Sequence, residues 1–424
     1  CEPKVLRRTI KFPLPRTEVV GASFHPHNSF YYLHSEWGLE VFIGNTDAYC
    51  AGYKFDKDTI QCTCWAEIPT HGKEPMDVIV VGTSCIGGQY CIWILLPQCT
   101  QVLWRMEGME SPPTSVHYIP RDKIVLVGLG GGQIMSLPFK DLHPTAQETV
   151  CDLTTHIVGA ASEVPKENAK LVPRWFPLPI LNGPSSKSRW SNISSAARPM
   201  CILPISTQLQ QYSAVLIGYS SGCVRVLQLC PEKDSEADGH FIEVCTLDMG
   251  WPIGHMAFQV DPDGFVTVVC ASATPDLCQA QAFRIALPPA AADFRAKKIE
   301  HARPLQIPLT EGTTQASVLA MTCAHRFARR SPKPTLSAVW IVLQEVTTNQ
   351  HPRVRLLRLI DPLPDGRVWE EHPLPKDVVG VQAMGVQASS LGTARGTMSE
   401  DGRGPLLFQA LLVGARHVFD IEYQ

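Results

Sequence analysis

The residues that could do chemistry are few, and glycines come first. Residues 124–139, IVLVGLGGGQIMSLPF, set four glycines (Gly128, Gly130, Gly131, Gly132) after a run of valines and leucines. A phosphate-binding loop has that look, because backbone N–H groups at the start of a helix can converge on an anion. The residues after the glycines do not fit. QIMSLPF alternates like a strand, ends in Pro-Phe and offers no Gly-Lys-Ser/Thr, so the stretch reads as a hairpin whose turn needs residues tolerant of positive φ.

A nucleophile is the second possibility. GYSSG at 218–222 places Ser220 in a Gly-x-Ser-x-Gly pattern, but a nucleophile elbow requires a strand-to-helix turn. CVRVLQL, directly after it, alternates as a strand, so Ser220 is expected in a hairpin turn. The pairs Cys62/Cys64 and Cys85/Cys91 lack the two knuckles of a zinc site. His25 and His27 in FHPHN could ligate a metal as an i, i+2 pair on one strand face, although His, Pro and Asn together also read as a turn. His34 and His117 lie near strand ends. No catalytic residue, metal site or cofactor is expected, and the chain is read as a non-enzyme.

Charge is informative only locally. The formal net charge is -3, which gives no global basic field for nucleic acid and no acidic excess for a cationic partner. Residues 322–358, however, hold seven basic side chains (Arg326, Arg329, Arg330, Lys333, Arg353, Arg355, Arg358) against one acid, Glu345. Two readings stay open: a basic patch for phosphate or an acidic protein surface, or a solvated edge balanced by acids from neighbouring blades.

These residues need elements to hold them, and the composition says which. Only 18% of the 424 residues are charged, against roughly 25% in an average soluble domain, which points to much buried strand. Helical periodicity is almost absent, and 35 prolines and 30 glycines punctuate the chain at short intervals, the grammar of strands and turns. Fifteen cysteines without framework spacing, several of them inside apolar runs (Cys91, Cys223, Cys270), predict a reducing compartment, cytoplasmic or nuclear. Apolar runs such as YCIWILL at 90–96 are far shorter than the roughly 20 residues of a membrane span.

The glycine stretch also recurs. AVLIGYSSGCVRVLQL at 214–229 repeats its pattern of apolar strand, small-residue turn and alternating strand. Further copies are YYLHSEWGLEVFIG at 31–44 and LLVGARHVFDIEY at 411–423, with looser ones at 78–96, 265–287 and 337–360. Each hairpin is preceded by an apolar segment that could be an inner strand, such as TSVHYIP or RPMCILPI, and most are followed by a short strand, such as HFIEVCTLD or RVWEEHPLP. Four antiparallel strands repeated about seven times predict an all-β, about seven-bladed β-propeller. The last unit shows only three strands, so the amino-terminal VLRRTIKF at 5–12 is expected to pair into it as the fourth, protecting a sheet edge.

With ASFHP…YYLHSEWGLEVF set beside SVHYIPRDKIVLVGLGGGQIMSLPF, the chain resembles the WD-repeat family of propellers, over nearly its whole length as a rhythm of strands and turns. It lacks the Trp-Asp dipeptide, and its Gly-His pairs (Gly239-His240, Gly254-His255) lack the family's spacing. The resemblance implies a WD-like propeller of divergent lineage and carries over no functional residue.

One domain, residues 1–424, is therefore expected, with an insertion at 143–196, near the start of which TVCDLTT at 149–155 is expected to complete the third blade as its outer strand. The insertion is rich in Pro, Ser and basic residues and carries Trp175 and Trp190. Long insertions in compact domains are functional or disordered. Function is expected to be that of a non-catalytic scaffold or interaction subunit of a multiprotein complex, with Trp175, Trp190, Arg326, Arg329, Arg330 and Lys333 as candidate contacts to other protein subunits. The alternative is a propeller subunit that contacts nucleic acid through the basic patch.

Overall fold

The computed structural model describes residues 4–8, 19–25, 30–43, 48–55, 57–69, 75–85, 87–98, 100–139, 159–160, 174–176, 197–205, 214–230, 240–260, 265–272, 274, 278–286, 299–327, 334–348, 352–360, 368–372, 374, 383–387, 408–413 and 418–423. Their regular structure is β. The amino-terminal strand is β1 (Lys4–Arg8). The first sheet then takes β2 (Gly21–Phe24), β3 (Phe30–His34), β4 (Gly38–Ile43) and β5 (Ala48–Lys54); the second takes β6 (Asp58–Ile68), β7 (Met76–Cys85), β8 (Tyr90–Leu95) and β9 (Val102–Met106). The third has β10 (Pro113–Ile119), β11 (Ile124–Leu129) and β12 (Ile134–Pro138), followed in the chain by two short strands, β13 (Gly159–Ala160) and β14 (Arg174–Phe176). The fourth sheet is β15 (Pro199–Ile205), β16 (Ala214–Tyr219), β17 (Cys223–Cys230) and β18 (His240–Asp248). The fifth is β19 (Ile253–Val260), β20 (Val266–Ser272), β21 (Ala280–Ile285) and β22 (Ile299–Leu305). The sixth is β23 (Thr313–Phe327), β24 (Pro334–Thr347), β25 (Pro352–Ile360) and β26 (Val368–His372), and β27 (Ala383–Gln387), β28 (Phe408–Val413) and β29 (Val418–Tyr423) open the last.

The expectation of about seven four-stranded antiparallel blades is corrected to six such blades. Six sheets have four antiparallel strands, whereas the first has five, because β13 adds in parallel to the outer side of β5 (Gly159 opposite Tyr53, Ala160 opposite Lys54). The third sheet is completed by β14, whose Trp175 stands opposite Met135; the outer strand expected at 149–155 lies outside the described residues. The amino terminus does pair into the last sheet. β1 runs antiparallel to β29 from Lys4 opposite Glu422 to Arg8 opposite Val418.

Contacts group the chain into two units, one of residues 1–29, 207–211 and 252–424, the other of residues 30–206 and 212–251. In both, the hydrophobic cores form between consecutive sheets. In the second unit one cluster joins Tyr32 and Val41 to Ile79 and Trp93, a second joins Val80 and Ile92 to Val116 and Val127, and a third joins Leu126 to Val215 and Ile217. In the first unit Val269 and Ala282 pack with Val318 and Ile341. Second strands such as IVLVGL and AVLIGY are thus covered on both faces, which is why they read as unbroken apolar runs rather than alternating ones.

Close approach of neighbouring sheets explains glycines inside these strands. A Cβ on Gly82 would sit 2.8 Å from Pro113 Cβ, and one on Gly128 would sit 2.7 Å from Pro199 Cβ. Gly82 and Gly128 thus each receive the proline that begins the next sheet's inner strand. Thr114 strengthens the same junction by donating its hydroxyl to the carbonyl of Pro199 at 2.6 Å.

Candidate interaction surfaces

The residues singled out for chemistry are committed to the fold. In the glycine cluster the Gly130 N–H donates to Pro112 O at 2.8 Å and the Gly132 N–H to Leu129 O at 2.9 Å, and Gly132 sits at φ 86°, closing a hairpin turn. Those N–H groups cannot also converge on phosphate. The GYSSG turn is built alike: the Gly222 N–H donates to Tyr219 O at 3.0 Å with Gly222 at φ 91°. Ser220 donates its N–H to Arg198 O at 2.8 Å and accepts the Arg198 N–H on Oγ at 2.9 Å. Strand, turn and strand replace the strand-to-helix elbow that a nucleophile requires.

Burial favours the neutral forms of His34, His117, Cys62 and Cys64. It lowers His117, on inner strand β10, from its ordinary 6.5 to about 4, and raises the Cys62 thiol to about 12, with Cys64 pushed the same way. His34 is also lowered by burial. Among the described residues no three His, Cys, Asp or Glu side chains come together as a metal site. His25 is buried at 1% exposure, and His27 lies outside the described residues.

The basic segment is redistributed by its own sheet. Arg355 donates to Glu345 and to Glu371, each at 2.8 Å, and to Pro308 O at 2.6 Å. Arg353 reaches Glu371 at 3.0 Å, and Arg358 reaches Glu370 at 3.3 Å while its guanidinium lies 5.5 Å from the centre of the Trp340 ring. Glu345 is tied further by the Thr310 N–H at 3.1 Å and the Thr310 hydroxyl at 2.5 Å. Burial alone would pull the Arg355 pKa down, but its bonds to Glu371 and Glu345 outweigh that and hold it above its ordinary value. Hydrogen bonding from Arg355 holds Glu371 below the ordinary carboxylate value against the effect of its own burial. Three of the seven basic residues are therefore neutralised, by two acids on β26 that lie beyond the segment and by Glu345 within it. Contact with nucleic acid would have to rest on the remaining four.

Of the candidate contact residues, Trp175 lies on β14 in one unit and Arg326 on β23, opposite Leu336, in the other. Trp190, Arg329, Arg330 and Lys333 lie outside the described residues.

A polar chain across the second sheet carried no sequence signal of its own. The Trp93 Nε1–H donates to Thr83 Oγ1 at 2.9 Å, Thr83 donates to Asp58 Oδ2 at 3.1 Å, and the Arg105 guanidinium stacks 4.2 Å from the Trp93 ring centre. The members of this chain come from different strands, so no single window displays them.

No family model matches the chain, and no curated protein matches it in sequence. Among solved structures, the β-propeller domain of Cps50 (Swd1) from Myceliophteria thermophila is similar, at 11% identity and a TM-score of 0.52, with 100% of each chain covered. At that identity the likeness concerns the fold alone: the chain is an all-β propeller with four-stranded antiparallel blades.

Proposed function

We propose that this protein is a non-catalytic scaffold or interaction subunit of a multiprotein complex. It forms a single propeller domain over residues 1–424, with residues 143–196 as an insertion, and works in the cytoplasm or nucleus. The observation that carries this reading is the commitment of the chemically suggestive groups to internal bonds: Ser220 to Arg198, Gly130 to Pro112 and Arg355 to Glu345. Packed sheets whose connections vary in length are suited to presenting loops to other proteins. Trp175 and Trp190 in the insertion, and Arg326, Arg329, Arg330 and Lys333 about the β23–β24 hairpin, are the contact residues, because Trp and Arg dominate interface cores.

Affinity capture from cells tests this reading. Alanine at both tryptophans, or at all four basic residues, is expected to release particular co-purifying proteins while the chain stays folded. Retention of every partner by both variants would refute the assignment of these surfaces.

A further inference from the structure

We draw no further inference here: the strongest candidate, the basic cluster at the end of the β23–β24 hairpin, beyond the pairing of Ala338 with Ile360 of β25, carries nothing because three of its four cations, Arg329, Arg330 and Lys333, lie outside the described residues and nothing in the structure shows what covers it.

Discussion

Glu345 and Arg355 meet diagonally across β24 and β25, 2.8 Å apart, although the ladder sets Glu345 opposite Arg353. Arg355 stands opposite Leu343, two residues before its partner, and Trp93 stands opposite Val81, two before Thr83, so two sheets use one diagonal for their polar pairs. Glu345 is 0% exposed and Arg355 8%. Removing one member of such a pair strands the other's charge, which costs about 3–5 kcal/mol. Arg355→Ala should therefore lower the urea midpoint sharply, whereas the double change Glu345→Leu with Arg355→Met should restore most of the loss. Equal damage from the single and double variants would show that packing, not charge, is at stake.

Glu371 gives this network its pH dependence. Its folded pKa lies below the ordinary 4.5 because Arg355 hydrogen-bonds the carboxylate. A depressed carboxylate contributes stability that is present above the unfolded value and is lost as pH falls through the folded one. The advantage of the native chain over Glu371→Gln should therefore be full at neutral pH and shrink as pH falls below 4.5. Denaturation curves of both proteins from neutral to acidic pH check this, and a difference that holds constant across the range would contradict it.

His117 adds a second acid-sensitive element in the other unit. Burial keeps it neutral down to about 4, while an unfolded histidine takes up its proton near 6.5. The unfolded chain thus binds more protons between those values, and stability should fall as pH is lowered across them. His117→Gln should flatten that part of the profile, and the His117 ring protons should show no titration by NMR near pH 6.5.

The hairpins were legible in the sequence because second strands buried on both faces become apolar runs that stop at a small-residue turn; β11 with β12 and β16 with β17 show it. Inner strand β6 was not. DTIQCTCWAEI is half polar, and a bulge between Ile60 and Cys62 breaks its alternation. β22 begins at Ile299 in a charged stretch that reads as loop, since an outermost strand needs few apolar residues. The basic patch was open to two readings for a different reason. Its neutralising acids, Glu370 and Glu371, are adjacent in the sheet but distant along the chain, and linear windows do not see cross-strand neighbours.

A left-handed residue that is not glycine marks a place where the chain can be improved. Lys123, in the turn between β10 and β11, has φ 54°. A side chain there costs roughly 1 kcal/mol relative to glycine, and the Lys123 carbonyl already accepts the Phe139 N–H at 2.8 Å, which holds the turn in place. Lys123→Gly should be neutral or stabilise by up to about 1 kcal/mol, because strain relief offsets the greater freedom of the unfolded chain. A clear loss of stability in thermal melts would mean that the lysine side chain makes a compensating contact.

The glycines of the apolar hairpins divide by position, and substitution should separate their roles. A Cβ at Gly128 would fall 2.4 Å from Ser115 Oγ and 2.7 Å from Pro199 Cβ, inside the junction of two sheets. Gly87, in the turn between β7 and β8, has nothing within 4 Å and no left-handed φ. Overpacking a well-filled core costs about 1–3 kcal/mol, whereas Gly→Ala at an unstrained open site stabilises by roughly 0.4–1 kcal/mol. Gly128→Ala should thus destabilise and Gly87→Ala should not. If the two changes proved equivalent in chemical denaturation, the reading of Gly128 as the seat of the next sheet's proline would fail, and with it the explanation of why a glycine stands inside so apolar a strand.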